Sequence, residues 1–404
     1  MGNLDKESFN IFKISEIGTI ISGATPKTSD DSNFGGAIPW LTPADLSGYK
    51  DKYISCGARN ITQKGYDSCS TQLMPAGSVL LSSRAPIGYV AIAKNPICTN
   101  QGFKSIVPKT NVDSEYLYYH LLYLKKTLQD MGSGTTFKEL SAKKLGQVEV
   151  SLPSLNEQKR IVARIEELFS ELDAAVATLE RTKEQLAVYR QAVLKEAFES
   201  DSPLYFGNLG DYLVSIDSGK SFKCIERPPG FGEYGVIKVS AVTWGEFDES
   251  ESKTCPPERF IKEKEIHTGD FLFSRANTLQ LIGNSVIVKD IKKNLMLSDK
   301  ILRLKFSDNI FPEYVLYFLR SKSGKKQIQD FSTGNQESMR NIGQERIRRI
   351  VIPYFEIETQ KKIVSEIESR LSVCDKIEET VRTALQEAEA MRQSILKQAF
   401  AGEL

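Results

Sequence analysis

The stretch "EQKRIVARIEELFSELDAAV", starting at Glu157, returns as "TQKKIVSEIESRLSVCDKIE", starting at Thr359. Aligning Gln158 with Gln360 sets an offset of 202 residues, at which Ile161-Val162 meets Ile363-Val364 and "RQAVLKEAF" (190–198) meets "RQSILKQAF" (392–400). A segment written twice so far apart marks a chain built from two copies of one unit. In the first copy the apolar positions Ile161, Ile165, Leu168, Leu172, Ala175, Leu179, Thr182, Leu186, Tyr189 and Val193 alternate steps of four and three. That is a heptad seam, with charges on the other faces. The second copy runs Ile363, Ile367, Arg370, Cys374, Ile377, Val381, Ala384, Ala388, Met391 and Ile395, with Leu371 placed to fill the break at Arg370. Neither copy contains Gly or Pro over about forty residues, which at ~1.5 Å per residue spells a helix of roughly 60 Å. One such rod would leave its stripe wet. Two can bury their stripes on each other, so the pair reads as an antiparallel coiled coil within the chain.

The blocks between the helices repeat more faintly. "ISEIGTIISGATP" (14–26) resembles "LGDYLVSIDSGKS" (209–221), and "IPWLTPADLSG" (38–48) resembles "YGVIKVSAVTWG" (234–245). "PAGSVLLSSRAPIGYVAIA" (75–93) resembles "HTGDFLFSRANTLQLIGNSVIV" (267–288), and "MGSGTTFKELSAKKLGQVEVSLP" (131–153) resembles "FSTGNQESMRNIGQERIRRIVIP" (331–353). "GSVLLSS", "GYVAIA" and "KSIVP" predict strands in the first block, as do "GVIKVSAV", "GDFLFSR", "GNSVIVK" and "ILRLKF" in the second. Helices follow over 113–130 and 311–330, opened by an acidic residue or a Pro. Strands first and helices after indicate α+β rather than a doubly wound sheet. The expected organisation is two tandem globules, 1–152 and 201–352, alternating with spacer helices over 153–200 and 353–404, one module repeated with pseudo-twofold symmetry.

Charge follows the same alternation. Residues 1–150 carry 16 Lys/Arg against 13 Asp/Glu and residues 206–352 carry 23 against 19, whereas 151–205 and 353–404 each carry 7 against 10. A basic excess of this size is by itself weak evidence for nucleic acid, and the alternation of basic and acidic blocks is the better clue. No apolar run reaches the ~18 residues of a membrane span, and the polar start "MGNLDKESFNIFK" has no signal core, so the expected location is the cytoplasm. The six cysteines form no CxxC pair and read as reduced thiols.

Catalytic signatures are missing. "GFGEYG" (230–235) matches GxGxxG in letters, but Pro228-Pro229 precedes it and a strand follows, the wrong context for a dinucleotide. There is no phosphate loop, HExxH, GxSxG or Asn/Asp-Pro-Pro-Tyr/Phe motif. Of the two histidines, His120 reads as packed in an aromatic helix and His267 as solvated at a turn. The sequence argues for a binder.

Arg84 and Arg275 each end an apolar strand and lead into a loop, where a guanidinium can fork onto guanine or clamp a phosphate. A salt-bridged rim arginine fits the pattern equally well. The Gly/Ser/Thr/Asn loops at 133–138 and 333–340 offer hydroxyls, backbone N–H groups and Lys138 or Arg340 to phosphates, with Lys143 and Lys144 close behind. Asn335 and Gln336 have the donors and acceptors to read adenine edges.

The globule–helix–globule–helix order, the helix starts "LPSLNEQKRIV" and "IPYFEIETQKKIV", and the ending "RQSILKQAFAGEL" resemble the specificity subunit of type I restriction-modification systems over essentially the whole chain. Thr359-Gln360 in place of Glu-Gln, and two extra residues after Pro353, are slight departures. The resemblance implies a subunit without an active site. Each of two target recognition domains would read one half of a bipartite, asymmetric DNA site. The paired helices would set the gap and dock two methyltransferase subunits that methylate adenine N6. Restriction subunits would add ATP-dependent cleavage. S-adenosylmethionine, ATP and Mg would bind those partners, and no cofactor or metal this chain. The expected DNA contacts are Thr42, Arg84, Lys104, Ser133, Thr135, Thr136 and Lys138 in the first domain. In the second they are Lys238, Ser240, Arg275, Asn277, Lys300, Asn335, Gln336 and Arg340, with Lys238 matched to Thr42 and Arg275 to Arg84. Other readings are a subunit of a methylation-only system, a scaffold that binds protein alone, and a fused enzyme whose site carries no familiar motif.

Overall fold

The computed structural model describes residues 9–134, 138–199 and 202–404. It divides into two compact units, Met1–Leu179 with Thr383–Leu404, and Glu180–Arg382. Each holds one globule and one half of each long helix.

In the first unit a five-stranded sheet runs, in spatial order, Gly18–Ser22, Lys104–Pro108, Val79–Ser83, Ile87–Ala93 and Tyr53–Ile54. Its pairs are antiparallel except the last, in which Tyr53 lies beside Ile92. Val79, Leu81 and Ile106 on one face pack against helix Ser114–Tyr123. Leu80, Ala91 and Ala93 pack on the other face with Leu41, Met74 and Ile97. Asp113 starts the helix by accepting from the N–H groups of Glu115 and Tyr116.

The second unit repeats this with a four-stranded antiparallel sheet: Leu213–Ser218, Ile301–Phe306, Phe271–Ser274 and Ser285–Ile287. Three expectations need correcting. "GVIKVSAV" is a strand only over Tyr234–Ile237, and Val239–Val242 forms a 3-10 turn that buries the adjacent Ala241 and Val242 together. The helix expected over 311–330 is two, Pro312–Arg320 and Lys322–Phe331, because the Ser321 hydroxyl accepts from Gly324 N–H and starts a new helix. The one over 113–130 divides likewise into Ser114–Tyr123 and Lys125–Met131. Gly23 and Gly219 hold the repeat together at equivalent points. A Cβ there would stand 2.1 Å from Asn100 O and 1.9 Å from Leu297 O, so only glycine lets the chains pass.

The long helices run Leu155–Glu199 and Ile357–Phe400. Within each unit their halves lie antiparallel. In the first, Arg392 pairs with Asp173 and lies over the Phe169 ring. In the second, Arg190 bridges Asp375 and Glu378 at 2.7 and 2.8 Å, and Arg370 meets Glu196 at 2.9 Å. The seam is narrower than its heptad pattern. Ala175, Tyr189, Ile377 and Met391 are exposed, and Val176 is half-buried where Ala175 was expected. Two helices alone cannot cover a stripe as wide as a bundle does.

Each helix ends in its own unit's core. Phe400 packs on His120 with centroids 4.2 Å apart and the rings tilted by 40°, and Phe198 meets Phe318 at 5.4 Å. The repeated "AF" is therefore the anchor of helix to globule. The two residues that seem extra after Pro353 are no insertion. Tyr116 donates to Ser151 O and Tyr314 to Pro353 O, each at 2.8 Å, so Pro353 stands where Ser151 does at the same offset of 202. Among the described residues no helix is long and apolar enough to cross a membrane.

Candidate nucleic-acid interface

In the first unit, strand Val79–Ser83 runs on to Arg84, where Ala85 takes a left-handed conformation (φ 49°) and ends it. Here a short ladder forms between Arg84 and Glu139 and between Glu139 and Ser133. The Glu139 carboxylate lies 3.6 Å from both the Arg84 guanidinium and the Lys104 ammonium. Arg84, Lys104, Ser133 and Glu139 are thus one cluster. Lys104 is largely buried, and its Nζ also donates to the carbonyls of Gln101 and Phe103 at 3.4 Å. Lys138 is exposed beside them. Thr135 and Thr136 lie outside the described residues. Thr42 caps the 3-10 turn Pro43–Leu46, its hydroxyl donating to Asp45 at 2.8 Å.

The second unit has the same junction with other chemistry. Ile342 N–H donates to Arg275 O as Leu140 N–H does to Ser83 O, both at 2.9 Å. Ala276 pairs with Asn341 as Arg84 pairs with Glu139. The ladder therefore matches Arg275 to Ser83 and Arg84 to Ala276, one residue away from the alignment of the letters. The extra serine in "LLSSR" carries Arg84 one place further along its strand. The guanidiniums still converge on equivalent partners. Arg275 reaches the Asn341 Oδ1 at 3.4 Å where Arg84 reaches Glu139. Lys104 likewise corresponds to Leu302, since each faces the last residue of the edge strand, Ser22 or Ser218. Lys300, exposed, takes the place of Gly102, its carbonyl accepting from Arg275 N–H at 3.0 Å.

Lys238 does match Thr42, each preceding a 3-10 turn. Glu251 ties Lys238 (3.6 Å) to the Ser240 hydroxyl (2.5 Å). Asn277 is half-buried, and its Oδ1 accepts from Thr278 N–H at 2.8 Å. The loop expected at 333–340 is a hairpin, Thr333–Gln336 with Met339–Asn341. Gly334, like Gly134, sits at a positive φ (141° and 135°) that other residues avoid. Gln336 is exposed near the tip, and the side chain of Asn335 lies outside what is described.

Arg340 takes a role other than the one expected of it. Its guanidinium turns back onto the hairpin's base, donating to Ser332 Oγ (2.9 Å), Ser332 O (2.7 Å) and Gly334 O (2.8 Å). These bonds stiffen the loop and occupy most of the fork that would clamp a phosphate. Sequence reasoning missed Glu139, Asn341 and Glu251. The letters of the globule repeat put Glu139 opposite Met339, and only the helix offset of 202 brings it to Asn341, the match that the backbone ladder makes.

Residues 6–185 match the family described as the Type I restriction modification DNA specificity domain. The MjaIX specificity subunit of Methanocaldococcus jannaschii is 50% identical over 165 residues, 40% of this chain and 38% of that protein. The EcoKI specificity subunit of Escherichia coli K12 is 24% identical over 435 positions, which take in 98% of this chain and 89% of that protein. Over residues 6–185 the chain is a type I restriction-modification DNA specificity domain, and over nearly its whole length it is similar to a type I specificity subunit. Solved structures bear out the family's fold across the whole length. A chain from a type I restriction-modification assembly superposes with a TM-score of 0.75 at 17% identity, over 98% of both chains. The HsdS subunit from Thermoanaerobacter tengcongensis gives 0.56 at 17% identity, over 98% of this chain and 97% of that one.

Proposed function

We propose that this specificity subunit reads a bipartite, asymmetric DNA site, one half with each globule. One observation carries the reading: the strand-end and hairpin junction occurs twice in the same backbone, once with Arg84, Lys104 and Glu139 and once with Arg275 and Asn341. A shared frame with different side chains is what two different half-sites require. Arginine forks onto guanine, a carboxylate accepts from cytosine N4, and asparagine pairs with adenine. Identical junctions would favour a palindrome.

In this reading the chain does no chemistry. Two methyltransferase subunits dock on the paired helices and methylate adenine N6 with S-adenosylmethionine. Restriction subunits with ATP and Mg add cleavage where they are present. The length of the helices sets the unread gap.

Co-expression with the neighbouring methyltransferase subunit, followed by single-molecule sequencing of host DNA for N6-methyladenine, tests this. The expected product is one split, non-palindromic motif with a fixed gap. Methylation without a motif, from a stable complex, would overturn the reading and leave a protein scaffold.

A further inference from the structure

Each unit has a cleft between its helical pair and the halves of the long helices, built from repeat-related positions. The first is lined by Tyr119, Leu122, Lys125 and Arg392, the second by Tyr317, Arg320, Lys325 and Arg190. The charge differs between them. In the first, Lys52 is neutralised by Glu115 at 2.6 Å and by Glu166. In the second, Arg320 replaces Leu122, and no carboxylate among the described residues lies within ion-pair distance of Arg320 or Lys325.

Arg320 is half-buried, and its Nη2 donates to Gly245 O (2.6 Å) and Ser285 O (2.8 Å). Its Nε and Nη1 have no protein acceptor among the described residues, nor has the half-buried Lys325 ammonium. Both groups are pushed below their ordinary pKa, by burial first, and Lys325 also by the nearby Arg320 charge. The carboxylates around the cleft are engaged elsewhere: Asp375 and Glu378 with Arg190, Glu368 with the Tyr317 hydroxyl, and Glu246 with Lys289. Two cations with unspent donors in one cleft of about 270 Å³, with Thr243, Asn284 and Ser285 on its wall, lack a counter-ion.

We propose that the Arg320–Lys325 cleft is a binding site for a phosphate group. A phosphate would supply the negative charge and the acceptor oxygens that the protein withholds there. The group can come from a DNA backbone or from a free phosphate compound, and the inference stands apart from the base-reading proposal.

The test uses the full chain and inorganic phosphate, compared with sodium chloride at matched ionic strength. Arg320→Leu copies the residue found in the first unit, and Lys325→Gln removes the charge alone. Phosphate should raise the unfolding midpoint of the wild type by about two degrees. Either variant should lose that shift while keeping its circular dichroism spectrum. An equal shift in wild type and Lys325→Gln, or none in the wild type, overturns the site. Duplex DNA titrated against salt then separates the sources. A log–log slope shallower by about 0.9 in Lys325→Gln means a backbone phosphate occupies the cleft, and an unchanged slope means a free phosphate compound.

Discussion

Gln158 and Gln360 make the same buried bridge in the two units. Oε1 of each accepts from a backbone N–H at 2.8 Å, that of Asp113 and that of Phe311, just where the globule's helix begins. Nε2 donates back to the turn that starts the long helix, to Pro153 O at 2.9 Å and to Phe355 O at 2.7 Å. Both residues are fully buried. One amide thus fastens the spacer helix to its globule, which is the physical content of the repeated "QKRIV" and "QKKIV".

Gln360→Leu keeps the volume and removes the bridge, stranding Phe311 N–H and Phe355 O. Each unmet buried group costs about 1–3 kcal/mol, so urea unfolding should show a loss within that range or somewhat above it. Hydrogen exchange should quicken at Phe311 and in the first turn of Ile357–Phe400. A loss spread evenly over all amides of the second unit would count against a local fastening.

Arg275→Ala should relax one half-site and leave the other intact. No carboxylate among the described residues pairs with Arg275, whose side chain touches only a neutral amide. A forked contact to a base is worth about 1–3 kcal/mol, enough to blur one or two positions of the methylated motif. Sequencing of N6-methyladenine from cells carrying the variant reads this directly. Lower methylation with an unaltered motif would remove Arg275 from base reading.

Glu139→Gln should move the opposite half-site. The carboxylate holds Arg84 and Lys104 at 3.6 Å and offsets part of their charge. Removing its charge should strengthen binding to unrelated duplex and steepen the salt dependence, because the freed cations can then meet phosphates. Preference in the first half-site should weaken at the same time. Unchanged affinity and unchanged motif together would make the cluster a plain structural ion pair.

The helices and the repeat were legible because period and composition are local. Apolar steps of three and four, with charge elsewhere and no Gly or Pro, leave little choice of structure. The Gln bridge was visible as a shared letter but not as a buried group, since glutamine in a charged segment reads as solvent-facing. The candidate binding face was legible only in part. Letters align Arg84 with Arg275, whereas hydrogen bonds align Ser83 with Arg275, and a one-residue slip of strand register leaves no mark in composition. Arg340 looked free because two of its three partners are backbone carbonyls at the base of its own hairpin, which every sequence contains.

His120 supplies a pH dependence confined to the first unit. It is buried beside Phe400 with Nδ1 unpartnered, and burial lowers its pKa to about 3. The folded state therefore keeps the ring neutral, while the unfolded chain takes up a proton below about pH 6.5. More protons bound by the unfolded chain means stability that falls as pH falls, by roughly 1.4 kcal/mol per unit between pH 6.5 and the folded value. Phe318 occupies the equivalent place in the second unit, against Phe198, so the fold accepts a phenyl ring there. In His120→Phe the first unit's unfolding midpoint should lose this part of its decline between pH 7 and pH 5. Parallel curves for wild type and variant would show that the histidine finds a proton acceptor in the folded state.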